Sequence, residues 1–242
     1  MDPMPQPDGT AVPRRDLLGL SAAVAAGAVA GAPGLVGAEA QAASSGTEVP
    51  VTPPEDLMQE HGVLKRVLLV YREVIRRIDI GDQVPAQELH RSAQIIRRFI
   101  EEHHEELEEQ YVFPRLREAG RLVRTVDVLV TQHDRGREIT RRILDMTGDG
   151  TTSYRLDPGG LRKDMAAFIR MYEPHEARED TVVFPALREV VSAKEFNELG
   201  DIFEEEEHRR FGANGFKDMV EEVAGIEKSL GIYELSQFTP KA

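Results

Sequence analysis

From residue 52 onward, apolar positions recur at alternating steps of four and three, the period of a helix with one buried face. The start Thr52-Pro53-Pro54-Glu55 combines a capping residue, proline at the first helical position and a glutamate placed for a capping box. It opens a first predicted helix with the stripe Leu57, His61, Leu64, Leu68, Tyr71, Ile75, Ile78, running to about Ile80 and stopped by Gly81. A second runs from about Ala86 to Val112 with Leu89, Ala93, Ile96, Ile100, His104, Leu107 and Tyr111 inward, and Pro114 is expected to end or kink it. A third, over 121–146, turns Leu122, Val126, Leu129, His133, Gly136, Thr140 and Ile143 inward. After a Gly-rich polar loop, Asp157-Pro158 starts a fourth, with Leu161, Met165, Phe168, Tyr172, His175 and Glu179 inward and a bend expected at Pro174. Helices of this length with short connections predict an all-α, up-down-up-down four-helix bundle over residues 52–190. Two further helical stretches, 192–211 and 214–230, make residues 191–242 a C-terminal extension. In it the run Glu204–Glu207 reads as a solvated face, and Tyr233, Leu235 and Phe238 as a tail able to pack back on the bundle.

Histidine interrupts each of the four stripes. His61 and His133 lie early in their helices, His104 and His175 late, so an antiparallel bundle brings all four to one height. The two late histidines sit in an internal repeat. HEELEEQYVFPRLRE at 104–118 and HEAREDTVVFPALRE at 175–189 share His, Glu, a second Glu four residues on, Val-Phe-Pro and Leu-Arg-Glu. Four residues along a helix is about 6 Å of rise and 40° of turn, so His104 with Glu108 and His175 with Glu179 each share a face. A buried carboxylate is costly unless it is paired or bound to metal. His61, His104, Glu108, His133, His175 and Glu179 are therefore the candidate metal ligands, and four imidazoles with two bridging carboxylates suit two first-row ions. Iron or manganese fits that donor set, and zinc fits it too. Glu105 and Glu176 follow their histidines in both copies and are candidates for extra ligands or imidazole partners. His103 stands out of the repeat register, on the surface or behind the ligands. His90 has no partner at ligand spacing, and Glu205-x-x-His208 is a lone ExxH inside an acidic run.

Composition narrows the chemistry. The 242 residues contain no cysteine, which excludes disulfides, thiolate metal sites and a cysteine nucleophile. The formal charge of −13 argues against nucleic acid and anionic membrane surfaces as partners.

Residues 1–42 read as a targeting segment. Arg14-Arg15 precedes an uncharged, Ala-rich run from Leu17 to Ala38, and small-x-small cleavage patterns follow at Ala38-Glu39-Ala40 and Ala40-Gln41-Ala42. The pattern resembles a twin-arginine export signal, which implies a periplasmic or extracellular protein carried folded with its cofactor in place. An uncleaved anchor is the alternative, opposed by the glycines and Pro33. Residues 43–51 form a polar linker, and no stable membrane span is expected once the signal is removed.

At its histidines and glutamates the sequence resembles the hemerythrin-like family, also called HHE cation-binding domains. The order His61, His104-Glu105-Glu108, His133, His175-Glu179 carries the resemblance, over about residues 55–190. It implies a non-haem di-iron centre bridged by carboxylates, in members that bind dioxygen, sense oxygen or iron, store iron, or handle nitric oxide and peroxide. One feature departs from the oxygen carriers, which place a second histidine four residues along the third helix and an aspartate five after the last histidine. Here Arg137 follows His133 by four, Lys65 holds the matching place after His61, and Glu179 follows His175. The expected function is a di-iron protein binding dioxygen or a related small diatomic or peroxide ligand. A ferroxidase or peroxidase on the same site, an iron-binding or storage module, and a metal-free helical interaction module are the alternatives.

Overall fold

A computed structural model describes residues 51–148 and 156–240. The export segment expected over 1–42 and nearly all of the linker after it lie outside the described residues. The first helix, α1, spans Pro53–Asp79 and begins with the expected capping box: the Thr52 hydroxyl accepts from Glu55 N–H, and the Glu55 carboxylate accepts from Thr52 N–H at 2.9 Å. The second, α2, runs over 86–118; α3 spans Val123–Thr147; α4 runs over 158–190. These four form the expected all-α bundle, α1 packing on α2 and α4 while α3 packs on the same two. The extension supplies α5, Ala193–Phe211, and α6, Gly215–Leu230. Both lie along the α1–α2 side, where Arg66 of α1 holds Glu227 of α6 at 2.5–3.1 Å and Arg77 donates to Leu230 O at 3.0 Å. No helix among the described residues is long and apolar enough to cross a membrane.

The second helix does not stop at Val112. It continues to Glu118 because the chain widens into a π turn over Glu108–Val112, where Phe113 N–H reaches back five residues to Glu108 O. The repeat does the same in α4: a π turn over Glu179–Val183, with Phe184 N–H on Glu179 O. The shared Val-Phe-Pro explains both. Proline lacks an N–H and crowds the carbonyl four residues back, and one extra residue in the preceding turn relieves that clash without ending the helix. Pro174, by contrast, sits inside Pro158–Arg178 with α-helical geometry on both sides. A longer π segment, Ile96–His104, leads into the first copy of the repeat.

The apolar core divides in two. One cluster joins Val63, Leu64, Phe99, Phe168 and Met165 with the inner face of α6; the other joins Leu57, Phe113, Val126, Phe184 and Phe203. His61 falls between Leu57 of one and Leu64 of the other, so a polar layer separates them.

Two expectations for the extension are corrected. Glu207 is buried rather than solvated, because its Oε1 accepts Phe216 N–H at 2.6 Å and satisfies the start of α6. The tail does not pack back: Leu235 is 84% and Phe238 53% exposed.

Candidate metal centre

The polar layer gathers all six expected side chains. His61, His104, Glu108 and Glu179 place ligand atoms within 4.8 Å of one another, and so do Glu108, His133, His175 and Glu179. Both carboxylates belong to both groups. Glu179 spans them, with Oε2 3.4 Å from His61 Nε2 and Oε1 3.0 Å from His175 Nε2. Glu108 turns one oxygen, Oε2, between His104 Nε2 at 3.8 Å and His133 Nε2 at 3.5 Å. All six are essentially buried; among the described residues neither oxygen of Glu108 makes a hydrogen bond, and Glu179 faces the imidazoles of His61 and His175.

The imidazoles share one orientation: Nε2 inward, Nδ1 held from behind. His61 Nδ1 meets Asp180 Oδ1 at 2.7 Å, and His104 Nδ1 meets Glu60 Oε2 at 2.8 Å. His133 Nδ1 meets Glu109 Oε1, and His175 Nδ1 meets Gln132 Oε1, each at 2.8 Å. An acceptor behind Nδ1 keeps the proton there and leaves the Nε2 lone pair pointing into the centre. Every one of these acceptors comes from a neighbouring helix, so the four helices clamp one another's histidines.

The electrostatics are those of two carboxyl groups buried together. Burial and the adjacent Glu179 charge push the Glu108 carboxyl well above the usual range. Burial acts on Glu179 as well, but His175 and His61 outweigh it and hold that carboxyl low. Burial would lower His61, yet Asp180 and Glu179 raise it to about 9. His104 moves the other way, pushed down by burial against the pull of Glu60. A neutral Glu108 beside a charged Glu179 and a protonated His61 is a charge pattern that cations at the centre would replace.

Residues 52–187 match the family described as Hemerythrin HHE cation binding domain. The chain belongs to that family. It is also 57% identical over 241 residues to uncharacterized proteins of Mycobacterium bovis and Mycobacterium tuberculosis, covering 98% of this chain and 94% of each relative. No solved structure matches it.

The departure of this hemerythrin-family chain from the oxygen carriers has a structural counterpart. Arg137, four residues after His133, donates to Glu105 Oε2 at 2.9 Å and to Glu109 Oε1 at 2.7 Å. Lys65, four after His61, pairs with Glu176 at 2.7 Å. Two cations thus hold the two repeat glutamates outside the six-residue cluster. Glu105 also accepts the Tyr172 hydroxyl at 2.6 Å. His103 is buried, not on the surface, with its ring against Phe99 and Phe211 and Nε2 3.2 Å from Glu60 Oε1. His90 hydrogen-bonds Thr147 at 3.0 Å, and Glu205 and His208 are exposed.

Tyr172 occupies space that only glycine leaves. A Cβ on Gly136, one turn after His133, would fall 2.1 Å from the Tyr172 hydroxyl. The ring cannot swing away, being buried and stacked on Phe168 at 4.2 Å. Gly136→Ala should destabilise the fold by roughly 1–3 kcal/mol despite alanine's better helix propensity. Urea unfolding measures it; an equal or more stable variant would show the ring moves freely.

Glu101, which pattern reading left unassigned, is buried at the repeat position matching Tyr172. Burial raises its carboxyl to about 7, the neighbouring Thr140 hydroxyl and Arg97, 3.0 Å away, opposing and the Glu105 charge reinforcing. Its folded value exceeds the ordinary 4.5. The neutral acid therefore contributes stability fully present below 4.5 and lost as pH rises through 7. Glu101→Gln should match wild type near pH 4.5 and exceed it at pH 8 by up to about 3 kcal/mol, read from paired urea titrations.

Proposed function

We propose that the chain is a non-haem di-iron protein that binds dioxygen or a related small ligand. The observation that carries this reading is the pair of buried carboxylates, each shared by two histidine pairs whose Nε2 atoms converge on them. Burying two carboxylates together costs free energy, which cations of the right spacing would return. His61 and His104 would hold one ion, His133 and His175 the other, with Glu108 and Glu179 between them. Nitrogen and carboxylate donors without thiolate suit iron or manganese and also admit zinc.

Bound iron would supply redox change and open coordination positions, since four protein donors per ion fall short of an octahedral set. The chain's own residues supply the rest. Glu60, Asp180, Glu109 and Gln132 fix each ring's tautomer and direction. The two apolar clusters on either side keep bulk water out. Because Arg137 and Lys65 stand where further histidines would saturate the metals, a turnover reading is the second one: oxidation of ferrous iron, or reduction of peroxide by a reducing co-substrate, at the same centre. Export by the twin-arginine route fits both, since that route carries folded protein with its metal already in place.

Anaerobic reconstitution with ferrous iron, then metal analysis and an optical spectrum before and after oxygen, tests the proposal. About two irons per chain and a new near-ultraviolet charge-transfer band on oxygen exposure are expected. Uptake that stops short of two irons per chain would overturn it. Sustained consumption of ferrous iron or peroxide, rather than one stoichiometric reaction, selects the turnover reading.

A further inference from the structure

The repeat builds the two halves of the centre alike, apart from the groups behind the histidines. The residue before each early histidine crosses to the late histidine of the same half: Glu60 to His104 Nδ1 and Gln132 to His175 Nδ1, both at 2.8 Å. The residue after each central glutamate crosses the other way: Asp180 to His61 and Glu109 to His133. Each half also carries one cation at the same place, Lys65 or Arg137. The halves part company at two points. His104 is backed by a carboxylate where His175 is backed by an amide. And Glu109, behind His133, also accepts from Arg137 at 2.7 Å through the same Oε1 that meets the imidazole.

A carboxylate behind Nδ1 makes the opposite nitrogen a stronger electron-pair donor; a neutral amide orients the ring without that push. An acceptor oxygen shared with a guanidinium gives less of it. The His61–His104 position therefore has two anionic backing groups. The His133–His175 position has one partly neutralised anion and one amide. Asp56 and Glu207 place carboxylate oxygens within 4.8 Å of one of Glu60's and deepen the negative charge on the first side. His103, 3.2 Å from Glu60 Oε1, draws on the other oxygen and moderates the effect without touching Oε2, the one that meets His104.

We propose that the two metal positions are unequal, that the His61–His104 position fills first, and that Glu60 against Gln132 is the main determinant of the order. This rests on the two-metal reading above and adds to it which position leads and which residue decides. Glu60 is here a positioning and tuning residue, acting through His104.

The test is anaerobic titration of the metal-stripped full chain with ferrous ion against a competing chelator, in wild type, Glu60→Gln, Gln132→Glu and the double exchange. Wild type should bind in two steps separated by about tenfold or more, the range set by such backing groups. Glu60→Gln should weaken the tight step, and Gln132→Glu should tighten the weak one, each narrowing the gap. The double exchange should reverse the order. Position is read separately: His133→Ala should keep the tight step and His61→Ala should lose it. At one equivalent of iron, the Mössbauer spectrum should show one quadrupole doublet in wild type and two in Glu60→Gln. Two ions bound by wild type with equal affinity, or a gap unmoved by both exchanges, would overturn the inference and leave the di-iron reading standing. Uptake of fewer than two ions by wild type would overturn both. If Glu60→Gln does not fold by circular dichroism, Gln132→Glu decides alone through the affinity of the weak step.

Discussion

Glu108→Leu should give a protein that is more stable than wild type when metal-free and unable to hold a pair of metal ions. The two outcomes have one cause. Glu108 is fully buried, held in its neutral form by burial and by the charge of Glu179, and hydrogen-bonded at neither oxygen. A buried polar group with no partner costs roughly 1–3 kcal/mol, which an apolar side chain of similar size removes. For a chain of this length each kcal/mol moves the melting temperature by roughly 2–4 °C, so the metal-free variant should melt several degrees higher. With metal the comparison reverses. A ligand at about a hundred times its Kd stabilises by roughly 2.7 kcal/mol, and the variant should show almost none of that gain. Glu108→Gln separates the explanations, because it keeps a polar group in place while removing the anionic donor. It should lose metal binding as Leu does and gain less stability. Thermal melts with and without ferrous ion, with metal analysis, read both quantities. A metal-free Glu108→Leu that is destabilised by more than about 1 kcal/mol would mean that the carboxylate is built into the fold as a structural group.

The reason Glu108 and Glu179 were visible in the sequence while their supports were not is geometric. Two site residues on one helix share a face, so a His and a Glu four apart announce themselves, and a repeat announces them twice. The height of the four histidines followed from counting along antiparallel helices. The backing groups Glu60, Glu109, Gln132 and Asp180 obey a different rule. Each lies next to a site residue in sequence, about 100° round its own helix, and serves a histidine on a neighbouring helix. Stripe reading looks along one face and passes over them. A signal was nonetheless present: Glu or Gln precedes both early histidines, and Glu or Asp follows both central glutamates. The π turns hid for a similar reason. Val-Phe-Pro reads as a helix end when only α-helical spacing is considered, yet both helices absorb the proline by widening the turn that starts at the glutamate. Glu207 reads as one of four solvated glutamates until the start of α6 requires an acceptor at that spot.

Ferrous-ion affinity should rise steeply with pH between 6 and 9, because the empty centre holds protons that the metals must displace. His61 is the clearest case, with Asp180 and Glu179 overcoming burial to raise it to about 9. Its Nε2 faces the centre, so an ion there needs that nitrogen deprotonated. Glu108, pushed well up by burial and by the Glu179 charge, carries a second proton; burial lowers His133, but Glu105, Glu109 and Glu179 outweigh it and raise it. His104, pushed down by burial, offers its nitrogen already free. Each displaced proton steepens the affinity by about tenfold per pH unit until its own pKa is passed, so the His61 share levels off above about 9. Stability must follow the same proton. The folded value of His61 lies above the ordinary 6.5, so its contribution to the metal-free fold is fully present below 6.5 and is lost as pH rises through 9. The metal-loaded fold does not depend on that proton. The difference in melting temperature between loaded and metal-free protein should therefore widen from pH 6.5 to 9, and His61→Gln should flatten the pH dependence of the metal-free protein over that range. Calorimetric titration in two buffers of different ionisation enthalpy counts the protons released at pH 7, about two for a filled centre. An affinity that is flat or falling across that range would mean that the histidines already present free nitrogens to the centre. The buried charges would then be balanced by something other than protons.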